Sequence, residues 1–383
     1  MAVHAFQVST QVLSGTGTIA EIGPALAAQN HTCVLVVTDQ GIVNAGLLAP
    51  VTQSLQDAGI AHAIFAEVQA DPEESIVEAV VLAYQEAGCD GLLAVGGGSS
   101  LDVAKAAGVV VSNGGAVADY EGFDAFENDL PPLYAVPTTV GTGSEVTFAA
   151  VITLPSQQFK MSILSTRLAP RIAFLDPAML TTLPPHVVAH SGMDALTHAV
   201  EGMTSPLSTP FTNAFNLHAI HLISRNLRAA VANSGDMAAI GEMQAAACIA
   251  GIGFAHSRLG IVHAMAHPVG AYHHLPHGLS NALLLPHCLD FNRIGCEPQL
   301  AAVAREFDAT FPGQTEREAA LAAIDAIRDL ESDIGIPASM GETGVTDEHF
   351  DAIVKDTFRS RNVGINPRKV TEDDILQILY KAL

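Results

Sequence analysis

The sequence predicts an α/β domain with a parallel sheet over residues 1–182, followed by an all-helical domain over residues 183–383. Three observations predict it. In the first half, short β-branched runs alternate with helical stretches, which implies βαβ units. At "TLPPH" (182–186) a double proline breaks the chain. Beyond it, long Ala/Leu/Ile/His segments dominate and strand signals are few. A chain of 383 residues with 49% hydrophobic residues and a positive mean hydropathy has ample material for about two cores.

The candidate strands are residues 32–38 (TCVLVVT), 62–65, 91–95 (GLLAV), 133–136 and 172–175. Between them the clearest helix is 72–87, which opens with acidic residues as a helix N-terminus prefers. In the second half the helical candidates are 186–202, 210–233, 241–254, 316–333 and 372–383. A cleft between the two domains is the expected place for a small ligand.

Composition excludes several classes. A net charge of −23, with 17 Lys+Arg against 40 Asp+Glu, disfavours a nucleic-acid partner. Nowhere does a run reach the roughly 18 uncharged apolar residues of a membrane span. The longest apolar run, around 245–255, is interrupted by glycines such as Gly251 and Gly253 and reads as a buried core helix. The opening MAVHAFQVST lacks the features of a secretory leader. Five scattered cysteines without a CxxC argue against a disulfide framework or a thiolate metal site. A reduced, cytoplasmic protein is the simple expectation.

"LLAVGGGSSLDVAK" (92–105) joins a buried strand to a helix through Gly96, Gly97 and Gly98. Without Cβ atoms these residues let a phosphate approach the backbone. Ser99 or Ser100 can cap the helix, whose free N–H groups favour an anion. A plain strand-to-helix turn is the alternative, but three successive glycines exceed its needs. A rival phosphate loop, "SGTGTIA" (14–20), fits G-x-G-x-x-A but follows a poor strand, so it is the weaker candidate. Asp39 ends the run VLVVTD, where a carboxylate can accept from a ribose diol and repel a 2′-phosphate, favouring NAD over NADP. It can equally cap the next helix, and the two roles are compatible. "AVPTTVGTGSEVT" (135–147) offers hydroxyls beside two glycines, suited to a second cofactor contact or to an ordinary loop.

"HSGMDALTHAVEG" (190–202) sets Asp194 and His198 four apart, on one helix face. Alone, such a pair is usually a surface hydrogen bond. A second block, "VHAMAHPVGAYHHLPHG" (262–278), changes the balance with five histidines, His263 and His267 again four apart and His277 in a Pro-His-Gly turn. One or two of its histidines, added to Asp194 and His198, suit Fe(II), Zn(II) or Mn(II), and residue type does not choose among them. His218 and His221, three apart on a helix face of their own, read as packing or surface residues, and His186, His190, His256 and His287 read similarly.

Taken together and in this order, "GGGSSLDVAK", "PTTVGTGSEVT", "GMDALTHAVE", "GIVHAMAHPVGA", "LPHGLSNALLLP" and "NPRKVTEDDILQILYKAL" resemble the iron-containing (group III) alcohol dehydrogenase family over essentially the whole chain. The resemblance implies an N-terminal dinucleotide-binding domain and an all-helical metal-binding domain, the dehydroquinate synthase-like architecture. It implies Asp194, His198, His263 and His277 as metal ligands, with Fe(II) ahead of Zn(II). His267 falls on a family position near the nicotinamide that is not normally a ligand, and is expected to relay a proton. Asp39, Gly97, Gly98, Ser99, Thr138, Thr139, Thr147 and Lys160 fall on NAD(P) positions. His273 and His274 lie in a segment that varies in the family and are expected to face solvent at the substrate cleft.

The implied reaction is hydride transfer between NAD and a small alcohol or aldehyde, in a homodimer or larger homo-oligomer. A polyol dehydrogenase, a maleylacetate-type reductase or a dehydroquinate-synthase-like lyase would use the same scaffold. A metal-storage or sensing protein without redox activity leaves the glycine turn and Asp39 unexplained.

Overall fold

The structure is a computed structural model describing residues 5–155 and 159–383. The chain forms two compact units, Met1–Thr139 with Gly143–Thr182, and Val140–Thr142 with Leu183–Leu383.

The first unit is a six-stranded parallel sheet. Its strands are β1 (Gln11–Ser14), β2 (Cys33–Asp39), β3 (Ala61–Val68), β4 (Gly91–Gly96), β6 (Leu133–Pro137) and β9 (Ile172–Leu175), in the order β1-β9-β6-β4-β2-β3. Successive side chains of a strand point to opposite faces, and both faces are covered here. Val34 and Val36 of β2 and Leu93 and Val95 of β4 pack with residues of α1 (Ile22–Ala27) and α3 (Leu48–Asp57). Leu35, Val37, Leu92 and Ala94 pack on the other face with α4 (Glu74–Glu86) and α5 (Gly98–Asn113). Burial on both sides explains why these strands read as continuous apolar runs. A short helix, α2 (Gln40–Asn44), follows β2.

From β2 the chain steps outward to β3, then returns to the far side of β2 to lay down β4. The strand order therefore reverses between β2 and β4. The carboxyl ends of strands at such a reversal are where open α/β sheets bind ligands.

Sequence reasoning did not anticipate β1 or a second, three-stranded sheet of β5 (Gly122–Phe123), β7 (Ala149–Leu154) and β8 (Phe159–Leu164), ordered β5-β8-β7.

The second unit is helical: α6 (Pro185–Thr204), α7 (Pro210–Ala232), α8 (Met237–Ser257), α9 (Ile261–His273), α10 (His277–Asn292), α11 (Glu297–Glu306), α12 (Glu316–Asp333), α13 (Phe350–Thr357) and α14 (Glu372–Ala382). By length and composition α8 is apolar enough to cross a membrane. It instead packs against α6 and α7 as a core helix. The expected Pro-His-Gly turn is corrected: Pro276 is the N-cap of α10 and His277 its first residue. Pro276, at φ −54° and ψ 139°, is extended, and the helical conformation begins at His277.

Candidate active site

The nucleotide candidates gather at the reversal in strand order. β4 runs directly into α5, whose N-cap is Gly97. The expectation that Ser99 or Ser100 caps this helix is corrected, since both lie inside its first turn and no side chain caps it. First-turn N–H groups have no partner within a helix, so at Gly98 and Ser99 they are available to an anion. Close packing accounts for the glycines: a Cβ on Gly96 would meet Ser100 Oγ at 2.4 Å, and one on Gly97 would lie 3.0 Å from Thr139 Cγ2. The Thr138 N–H donates to the Gly96 carbonyl at 3.0 Å, tying the end of β6 to the same turn. Asp39, at the end of β2, caps α2 by accepting from the Ile42 N–H at 3.0 Å. Its other carboxylate oxygen would be 3.5 Å from a Cβ on Gly96. Asp39, Gly97, Gly98, Ser99, Thr138 and Thr139 thus come together.

Thr147 and Lys160 are engaged elsewhere in this unit. The Lys160 ammonium pairs with Asp71 at 2.5 Å. Thr147 belongs to a buried cluster around Lys105, which sequence reasoning missed. The Lys105 ammonium donates to Ser144 Oγ at 2.8 Å, to Thr147 Oγ1 and its carbonyl at 3.2 Å each, and to the Ala149 carbonyl at 2.9 Å. Ser144 in turn donates to Asp102 at 2.7 Å, and Asp102 accepts the Val151 N–H at 3.0 Å. Burial pulls Lys105 down to about 8, opposed by Asp102 and the buried Glu145. Burial likewise raises Asp102, opposed by Lys105, Ser144 and the Val151 N–H. The "LDVAK" and "TGSEVT" motifs are therefore two halves of one network that braces the 138–147 loop against α5.

The weaker candidate loop at 14–20 already holds an anion of the protein's own. The Asp176 carboxylate accepts the N–H groups of Gly17 at 2.9 Å and Ile19 at 3.2 Å.

In the second unit, α6, α9 and α10 bring one carboxylate and three imidazoles together. Asp194 Oδ1 lies 3.8 Å from His198 Nε2, 3.7 Å from His263 Nε2 and 3.5 Å from His277 Nε2. Asp194, His263 and His277 each offer a ligand atom within 4.8 Å of the other two. Asp194, His198 and His263 are buried and His277 is half-buried. His198 is sandwiched, its ring stacked on Phe254 at 4.1 Å and on His263 at 4.6 Å. Close helix approach makes the cluster possible: a Cβ on Gly278 would lie 2.1 Å from the His190 carbonyl oxygen on α6.

Two further residues complete the cage, and sequence reasoning named neither. Glu201, buried on α6, accepts His263 Nδ1 at 2.6 Å and the Val262 N–H at 2.8 Å. It lies at i+7 from Asp194 and i+3 from His198, on the same helix face, and that spacing was readable in "DALTHAVE". Asn281, fully buried on α10, donates from Nδ2 to Asp194 Oδ1 at 2.7 Å. The same Nδ2 is 3.1 Å from His263 Nε2 and 3.2 Å from His277 Nε2. Its Oδ1 is buried and accepts no hydrogen bond among the described residues.

The electrostatics suit a cation. Burial opposes ionisation of Asp194, but the surrounding His198, His277 and His263 hold its carboxyl well below the usual range. Burial pulls His198 down to about 3 against the attraction of Asp194, so its ring is neutral. His263 is also disfavoured by burial, yet Asp194 and Glu201 raise it to about 9. That proton must leave before His263 can act as a ligand.

His267 stands at the edge of the cluster, its ring centroid 5.2 Å from His277 and 6.4 Å from His263. His274 is exposed, as expected, in a left-handed conformation at the end of α9. His273 differs from expectation: it is half-buried, 5.7 Å from the His349 ring.

A parallel sheet with a glycine turn at its order reversal, and a helical unit holding a carboxylate–histidine cage, together define a two-part oxidoreductase class. The chain belongs to the iron-containing alcohol dehydrogenase family: the family model matches residues 9–177, and the model of its C-terminal part matches residues 188–383. It is 37% identical to the NAD-dependent methanol dehydrogenase of Bacillus methanolicus, over 96% of this chain and 97% of that one. It is 35% identical to the lactaldehyde reductase of Escherichia coli, over 96% of each. An alcohol dehydrogenase from Oenococcus oeni has the same fold, with a TM-score of 0.97 and 35% identity over 100% of both chains.

The cage fits a divalent ion. Separations of 3.5–3.8 Å from Asp194 Oδ1 to the imidazole nitrogens are too long for hydrogen bonds of ordinary strength. They approach the ~3.4 Å expected between ligands that each sit about 2.1 Å from one tetrahedral ion. The carboxylate on His263 Nδ1 is the usual outer partner of a metal-binding imidazole.

Proposed function

We propose that this chain is an NAD-linked alcohol dehydrogenase and aldehyde reductase acting on small substrates, with Asp194, His198, His263 and His277 holding one divalent ion, Fe(II) ahead of Zn(II). The observation that carries the reading is the convergence of Asp194, His263 and His277 donors within 4.8 Å inside a buried, anion-bearing cage. When bound, the ion supplies Lewis-acid polarisation of an alcohol or carbonyl oxygen, and the nicotinamide accepts or gives the hydride.

The chain's own residues do the remainder. Residues 1–182 serve as the dinucleotide domain and 183–383 as the metal and substrate domain. Gly97, Gly98 and Ser99 offer backbone N–H groups to the pyrophosphate at the start of α5. Thr138 and Thr139 border that turn, and Asp39 accepts from a ribose diol, which favours NAD over NADP. Thr147 shapes the loop through Lys105, and Lys160 contributes from β8. Glu201 orients His263 and fixes a proton on its Nδ1, leaving Nε2 to face the ion. His267, at the cluster's edge, moves the substrate proton toward solvent, the acid–base role that imidazoles take most often. We further propose a cytoplasmic protein that assembles as a homodimer or larger homo-oligomer.

The test is an NADH-oxidation screen over short aldehydes after reconstitution with Fe(II) or Zn(II), with NADPH in parallel. Turnover with NADH is expected, and Asp194→Ala is expected to lose metal and activity together. Full activity in a metal-free Asp194→Ala protein would overturn the mechanism.

A further inference from the structure

Asn281 Nδ2 touches three of the atoms that converge in the cage: Asp194 Oδ1, His263 Nε2 and His277 Nε2, at 2.7, 3.1 and 3.2 Å. We infer that Asn281 is a positioning residue that holds these ligands together before the ion arrives and gives up its hydrogen bonds when the ion binds. The inference rests on the metal-site reading above.

The Asp194 carboxyl is buried in the helical core, and a buried polar oxygen left without a donor is strongly disfavoured. The Asn281 amide supplies that donor through its NH2 group. Reversing the amide would set an oxygen 2.7 Å from the carboxylate oxygen, so the donor orientation is the one that stands. The orientation leaves Asn281 Oδ1 buried without a donor among the described residues. A purely structural asparagine would be expected to satisfy both ends of its amide. Here one end is sacrificed to serve the cage.

The same contacts set up a competition. The NH2 group has two hydrogens for these three neighbours: one goes to Asp194 Oδ1, and the other goes to an imidazole Nε2 that carries no proton, whose single lone pair is then not available to an ion. The amide therefore stabilises the unloaded cage and has no equivalent role once an ion neutralises Asp194. Removing the donor should destabilise the unloaded protein selectively and, by linkage, tighten metal binding.

The experiment compares wild type, Asn281→Leu (close in size, no donor) and Asn281→Asp (same size, acceptor in place of donor). Melting temperatures are measured metal-free and Zn(II)-loaded, and Zn(II) affinity by competition with a chromophoric chelator. For Asn281→Leu the metal-free protein is expected to melt several degrees lower while the loaded protein is nearly unchanged. Its affinity is expected to rise roughly tenfold, which corresponds to about 1.4 kcal/mol. Asn281→Asp should widen the same gap further, because two carboxylates then face each other until the ion binds. The inference is overturned if loaded and metal-free forms lose stability equally, as a packing role predicts, or if both variants bind Zn(II) no tighter than wild type. Failure of wild type itself to bind Zn(II) would instead remove the metal-site reading beneath it.

Discussion

Replacing Glu201 by glutamine tests whether the cage depends on its outer carboxylate. Glu201 Oε1 accepts the Val262 N–H at 2.8 Å, and Oε2 accepts His263 Nδ1 at 2.6 Å and, more weakly, the His263 N–H at 3.4 Å. Glutamine keeps the shape but exchanges one acceptor for an NH2 group, so in either orientation at least one donor loses its partner. The site is buried, and a stranded buried polar group costs about 1–3 kcal/mol. If the His263 contact is the one lost, the ring is no longer held with Nε2 toward Asp194. Losses of this kind lower metal affinity roughly 10- to 100-fold. Chelator competition with Zn(II) measures the affinity and thermal melting measures the stability of the same preparations. Unchanged affinity and an unchanged melting temperature in Glu201→Gln would refute the assignment of Glu201 as the group that orients His263.

Two other outcomes follow from the first unit. Asp39→Gly should raise the NADPH-to-NADH ratio of kcat/KM at least about tenfold by removing the charge that repels a 2′-phosphate, while losing the α2 cap to glycine costs only about a few tenths of a kcal/mol. An unchanged ratio would move the ribose contact elsewhere. For Lys105, burial sets the folded-state value at about 8, below the ordinary 10.5. Between those values the unfolded chain holds a proton that the folded chain has released, so this group's contribution makes stability rise with pH across that window. Lys105→Met should abolish the rise in urea melts, and at neutral pH should cost about 3–5 kcal/mol by leaving Asp102 and Glu145 without their cation.

The doubly covered sheet was legible because its central strands are apolar on both faces: CVLVVTD and GLLAVG cannot be anything exposed. The second sheet was not, because AAVITL carries apolar residues at half-exposed as well as buried positions, which hides the alternation, and the strands find their partners through tertiary pairing. Helices α9 and α10 were obscured by Pro268 and Pro286 in their interiors, where proline ordinarily interrupts a helix. Of the candidate site, helical spacing put Asp194 and His198 on one face, but only the second histidine block made that pair more than a surface hydrogen bond. His263 and His277 could be chosen over His267 through the family resemblance, since spacing pairs His263 with His267 equally well. Glu201 carried the right spacing but an acidic residue on a helix is usually solvated, and Asn281 carried no periodic signal. Its role depends on α10 meeting α6, a long-range contact that no local pattern encodes.

The tripeptide Val140–Thr142 belongs to the second unit although the chain on either side belongs to the first. A Cβ on Gly141 would lie 2.8 Å from the Ser191 carbonyl oxygen on α6, and the Gly141 carbonyl favours a proton on His198. The two halves are therefore not interchangeable cassettes joined at residue 182. A chimera that borrows the nucleotide half from another dehydrogenase also replaces a strip of wall beside His198. A fragment begun at Leu183 would leave that wall out altogether. Engineers seeking a new cofactor preference by transplanting domains would alter the ligand cage without touching any of its ligands.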